Sequence, residues 1–194
     1  MKLRWPDTIL KDPEPAAWIE KHLFPEDFLD PTAFESMAVL YRCAFPTHLL
    51  EFVVFGRPQP ALFSPADLNA ALLAECEASG FEPDALWWSV NVHDNCARVI
   101  ERVGVYSFGD PLEPLLIQLA YNPAQQGGTS YAGLLDRRYR WALTLESENE
   151  FVIAVHGPQA FCQRVAAAVG VAGQAEPLYG QSDLNKNDES SHLA

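Results

Sequence analysis

The chain has 194 residues, 48% of them hydrophobic and 11% aromatic, enough for one domain whose core offsets chain entropy without a metal or a disulfide. Its 26 acids against 13 Lys and Arg leave a formal charge of -13, of which the stretch from residue 171 onward carries only a small part. Such a surface repels nucleic-acid phosphates and anionic lipid, which argues against nucleic-acid and membrane binding and favours encounter with a basic protein partner.

No apolar run follows Met1-Lys2-Leu3-Arg4-Trp5-Pro6-Asp7 that would serve as a signal peptide or membrane span, so a cytoplasmic protein is expected. Cys43, Cys76, Cys96 and Cys162 are widely spaced and form no Cys-x-x-Cys pair. That suits four reduced, buried thiols better than a disulfide framework or a zinc ribbon.

In chain order, Asp12-Pro13 and Asp30-Pro31 each set a capping acid before a proline, predicting helices that start there. The second is expected over residues 31–44, with Phe34, Met37, Ala38, Tyr41 and Phe45 at helical spacing and a stop before Pro46. Residues 49–56, rich in β-branched and aromatic side chains between prolines, read as a buried strand. Ser64-Pro65-Ala66-Asp67 opens a helix whose inner stripe is Leu68, Ala71, Leu72 and Cys76 and whose stop is Gly80. Residues 85–93 alternate Leu86, Trp88, Val90 and Val92 with Trp87, Ser89, Asn91 and His93, the pattern of a half-exposed strand with Trp87 on its more polar face.

Residues 94–104 fit a short helix capped by Asp94, with a strand as the alternative; residues 115–121 read as a strand, with a helix as the alternative. Residues 123–133 are polar and glycine-bearing, hence a loop. Residues 140–145 and 151–156 flank Glu146-Ser147-Glu148-Asn149-Glu150, predicting a β-hairpin with a negatively charged tip. A helix over residues 158–169, with Phe161, Val165, Ala168 and Val169 inward, ends at Gly170. The hydrophobic pattern then lapses, so a globular domain over 1–170 and a disordered polar tail over 171–194 are expected. The fold class is α+β, a single domain with a mixed or antiparallel sheet of about four strands packed by helices.

Motifs with chemistry are sparse. His93, Asp94 and Cys96 stand together at a predicted strand end, where a base beside a thiol would suit a small cysteine and histidine hydrolase. Capping by Asp94 and a structural Cys96 explain the same residues, because such triads are usually assembled from distant positions. No metal site is expected, since Cys43 and His48 lack a second pair at ligand spacing. No cofactor is expected either: Gly127-Gly128 matches neither the dinucleotide fingerprint nor the phosphate loop. Arg137, Arg138 and Arg140, interleaved with Tyr139 and Trp141 and joined by Arg98 and Arg102 one helical turn apart, form a basic patch that would stack bases. Pairing with the surplus carboxylates is the stronger expectation.

A motif-free acidic body fits a binding module better than an enzyme. In size, acidity and domain organisation the chain resembles the immunity proteins that bacteria encode beside secreted toxins. Its stretch from Trp141-Ala142-Leu143-Thr144-Leu145 through Phe151-Val152-Ile153-Ala154-Val155-His156-Gly157-Pro158 to Phe161 is similar to the hairpin-then-helix endings of some of them. The resemblance implies a stoichiometric inhibitor that covers a toxin. The candidate contacts are Trp87 and the hairpin-tip acids Glu146, Glu148 and Glu150. A cysteine hydrolase and a regulatory or scaffold domain are the alternatives.

Overall fold

The computed structural model describes residues 11, 13–23, 33–44, 63–92, 98–109, 112, 129–147, 150–171 and 175–177. Their elements are α1 (Glu14–Leu23), β1 (Ser36–Ala44), α2 (Pro65–Ala78), β2 (Asp84–Val92), β3 (Arg98–Ser107), β4 (Thr129–Asp136), β5 (Ala142–Ser147), β6 (Glu150–Gly157), α3 (Gln159–Ala168) and β7 (Ala175–Pro177). The strands form one sheet in the order β3-β2-β4-β5-β6-β1-β7. Every neighbouring pair is antiparallel. The expected α+β class is found, but with six long strands and a three-residue edge strand where about four strands were anticipated.

The sequence sets the helix ends locally. At the start of α2 the Ser64 hydroxyl accepts from the Asp67 N–H at 3.2 Å, while the Asp67 carboxylate accepts from the Ser64 N–H at 2.8 Å, a reciprocal box that satisfies two otherwise orphaned donors. At its end Gly80 takes φ 65°, so the Phe81 N–H can turn back to the Cys76 carbonyl at 2.8 Å. The end of α3 repeats this geometry: Gly170 has φ 82° and the Val171 N–H reaches the Ala166 carbonyl at 2.8 Å. Both helices then lie side by side, joined by Arg164, which donates to the Glu75 carboxylate and, at 3.0 Å, to the Ser79 hydroxyl.

Helices cover both faces of the sheet. On one face α2 and α3 pack Leu68, Leu72, Cys76, Phe161, Cys162 and Val165 against Trp87, Leu134, Leu143 and Val155. On the other, Ile19 and Leu23 of α1, together with Phe34, meet Leu86, Trp88, Leu135 and Ala142. Alternation along β2 therefore sends Trp87 and Trp88 into opposite layers, and each is only 1% exposed. In β1 the register to β6 shifts between Val39, opposite Ala154, and Tyr41, opposite Ile153. Leu40 is the extra residue, and this bulge lets Leu40 and Tyr41 both enter the α2–α3 layer.

Several expectations are corrected. Residues 36–44 are strand, not helix: the spacing of Phe34, Met37, Ala38 and Tyr41 mimics a helical stripe because the bulge breaks the period of two. Residues 98–107 are strand, the alternative left open there beside the helix, and Glu101 is the residue passed over between the pairs Ser89–Arg102 and Val90–Ile100. Arg98 and Arg102 are thus not one helical turn apart. Trp87 lies on no exposed face, because the layer facing it is filled by helices. Residues 129–133 of the expected loop begin β4. Beyond residue 170 the chain still contributes to the sheet, since Ala175–Pro177 pairs with Ser36, Met37 and Ala38. Residues 49–56, 115–121 and 123–128 lie outside the described residues.

Gly133 of β4 sits beneath the Trp88 indole; a Cβ there would stand 2.0 Å from the Leu143 carbonyl oxygen and 2.8 Å from a Trp88 ring carbon. Since the first contact is with backbone, no side-chain rotation relieves it. The substitution Gly133→Ala is expected to destabilise the fold by at least about 3 kcal/mol, read as a lowered urea midpoint.

Candidate functional site

The β5–β6 hairpin forms as expected, with Glu146 opposite Val152 and Ser147 opposite Phe151. Only residues 148 and 149 separate the two strands, so Glu146 near the end of β5 and Glu150 at the start of β6 lie at the same end of the sheet. Glu146 is half-buried on the α1 face, opposite Tyr131 of β4. Glu148 itself lies outside the described residues.

Strand β2, which precedes the second candidate in the sequence, finishes at the same end of the sheet. Strand β2 ends at Val92, opposite Thr129, and Ser147 at the end of β5 lies opposite Ser130. One strand, β4, intervenes, a separation of about 10 Å at the usual strand spacing. His93, Asp94 and Cys96 lie outside the described residues.

The opposite end holds Arg137, Arg138 and Arg140. Asp136, fully buried at the end of β4, accepts from the backbone N–H groups of Arg138 and Arg140, both at 3.1 Å, and from Arg140 Nε at 2.7 Å and Nη2 at 2.8 Å. Burial works against its charge, but the Arg140 side chain and these N–H donors outweigh that and hold the carboxyl below its usual range. Arg140 also pairs with Glu82 and lies 4.2 Å over the Phe81 ring; Arg138 reaches Glu82 at 3.0 Å and Arg137 reaches Asp84 at 2.7 Å. The turn closes with Tyr139 at φ 60°, its ring stacked on Trp18 at 4.6 Å. The arginines therefore pair with carboxylates of this molecule, and the carboxylate that organises them, Asp136, escaped notice in the sequence. Its signal was present: an acid followed four residues later by Arg, across a turn, is a side-chain cap of the loop's own backbone.

The described thiols are poor nucleophiles. Burial pushes Cys76 up to about 12 and Cys162 up to about 11, and the Cys162 thiol points at the carbonyls of Ser36 and Val155, each at 3.6 Å. His156 is also unsuited to act as a base: burial lowers it to about 3, and its Nε2 is engaged with the Thr144 hydroxyl at 2.9 Å. Among the described residues no group of three or more His, Cys, Asp or Glu is placed to hold a metal ion, and no helix is long and apolar enough to cross a membrane. No protein-family model, curated protein or solved structure matches the chain.

Two outcomes follow from this chemistry. Asp136→Ala strands two backbone donors and a guanidinium, and is expected to cost about 3 kcal/mol in denaturant unfolding, with Asp136→Asn recovering part of it. In the native protein at pH 8, Cys76 and Cys162 should resist a maleimide for hours and label within minutes once urea unfolds the chain; mass spectrometry of the labelled peptides checks this.

Proposed function

We propose that this protein is an acidic protein-binding module of the immunity type, which neutralises a basic toxin by binding and covering it. The observation that supports this best is how charge is divided. Arg137, Arg138, Arg140 and Arg164 are matched within the molecule by Asp84, Glu82, Asp136 and Glu75. Four arginines are thereby committed internally, and the surplus behind the formal charge of -13 is left to the remaining carboxylates.

Surplus carboxylates steer a cationic partner during diffusion, raising the association rate, while a few desolvated contacts set how long the complex lasts. Glu146, Glu148 and Glu150 are the proposed steering group, because they fall within five residues where β5 passes into β6, at the end of the sheet opposite Arg137, Arg138 and Arg140. Trp87, being buried, is not among the contacts and acts only through the core.

The first test is genetic. Expression of the protein encoded beside this one should arrest growth, and co-expression of this chain should restore it; the absence of rescue and of co-purification would remove the proposal. With the partner in hand, the triple variant Glu146→Lys, Glu148→Lys and Glu150→Lys should lower the association rate about tenfold or more at low ionic strength, with little change in dissociation. Rapid native labelling of Cys96 would instead favour the cysteine hydrolase.

A further inference from the structure

His156 is completely buried near the end of β6, and neither the ion-pair cluster nor the proposed partner surface uses it. Its ladder neighbours are Ala142 of β5 and Met37 of β1, and the Phe34 ring centre lies 5.8 Å away, so it belongs to the layer covered by α1. Nε2 meets the Thr144 hydroxyl, and Nδ1 has no hydrogen-bond partner among the described residues. Among the described residues no carboxylate is hydrogen-bonded to it; Glu176 of β7 stands at the same register, one strand beyond Met37. On α1, the His22 ring packs on Trp18 at 4.7 Å and Trp18 on Phe34 at 6.1 Å, and Glu14, Glu20 and Lys21 are exposed. Glu35 beside Phe34 is exposed, Tyr139 stacks on Trp18, and Tyr131 and Glu146 oppose each other farther along β4 and β5. Burial alone accounts for the preference of His156 for the neutral form.

We propose that His156 makes the α1 layer an acid-released cover: protonation of this imidazole drives Phe34 and α1 off the sheet and bares the aromatic face beneath, while α2 and α3 stay in place. Among the described residues an imidazolium in the closed site would have no carboxylate bonded to it and a second N–H without an acceptor, so the charge is tolerated when the ring reaches water. Water has two ways in. The α2–α3 layer buries Leu68, Ala71, Leu72, Phe161 and Val165 among others, and is pinned by Arg164 to Glu75 and by Asn69, which donates to the Phe108 carbonyl at 2.7 Å and accepts from the Tyr106 hydroxyl at 2.6 Å. Helix α1 buries only Pro15, Ile19 and Leu23. The cover with less to lose opens first.

The sign follows from linkage. The open form binds a proton with the ordinary histidine value of 6.5, the closed form only near 3. Below pH 6.5 the open form therefore holds more protons, and the ratio of open to closed rises about tenfold per pH unit until the closed form titrates as well. Hydrogen exchange followed by mass spectrometry, corrected for intrinsic rates, tests this between pH 7 and 4.5. Protection in residues 14–23 and 33–37 should fall roughly 50- to 100-fold relative to that in 65–78 and 159–168. In His156→Phe, which fills the site with a ring that cannot be charged, the difference should vanish. Equal loss of protection in all four segments, or the same pH dependence in the variant, would overturn the proposal. If His156→Phe does not fold, His156→Gln makes the same comparison, and the order of opening in the unaltered protein decides by itself.

Discussion

Consecutive residues of a strand point to opposite faces of the sheet, so the pair Trp87 and Trp88 in β2 obliges the molecule to bury both faces at that point. An indole of this size removes roughly 200 Å2 from water, on the order of 5 kcal/mol at 25 cal/mol per Å2. That exceeds what any exposed ion pair contributes, and it accounts for the layered arrangement: α2 and α3 over one indole, α1 over the other. The same constraint selects glycine at 133, where the Trp88 ring needs the room that any side chain would occupy.

Charge is organised differently at the two ends of the sheet. Around Asp136, three arginines and three carboxylates from the β4–β5 turn and the segment before β2 neutralise one another, and the buried carboxylate fixes the turn's backbone as well as its side chains. At the far end Arg42 of β1 and Glu146 of β5 stand on either side of Val152, and Arg98 begins β3 opposite Val92.

What the sequence disclosed and what it hid divide along physical lines. Helices α2 and α3 were legible because capping residues and terminal glycines act within four or five positions. The β5–β6 hairpin was legible for the same reason. Strands β1 and β3 were not: each contains a bulge that shifts the inward phase by one residue, and Val99, Ile100 and Val103 satisfy a helical stripe as readily as a bulged strand. Trp87 was misplaced because alternation shows which residues share a face but not whether a helix covers it. Of the candidate contacts, Glu146 and the positions flanking it emerge at one hairpin, whereas Asp136 and His156 depend on partners supplied by other elements, which no local pattern displays.

The place of β1 in the sheet bears on how the chain reaches this structure. It lies between β6 and β7, and its first residue, Ser36, donates from its hydroxyl to the carbonyl of Gly157, 121 positions later. Strands β4, β5 and β6 are joined by short connections and can assemble among themselves soon after synthesis, but β1 must wait, unpaired on that side, until most of the polypeptide has emerged. Such non-local closure slows folding, because a long loop must be ordered before its contacts repay the entropy. During that interval the apolar run from Met37 to Tyr41 is an exposed strand edge, and translation speed or a chaperone becomes a determinant of yield.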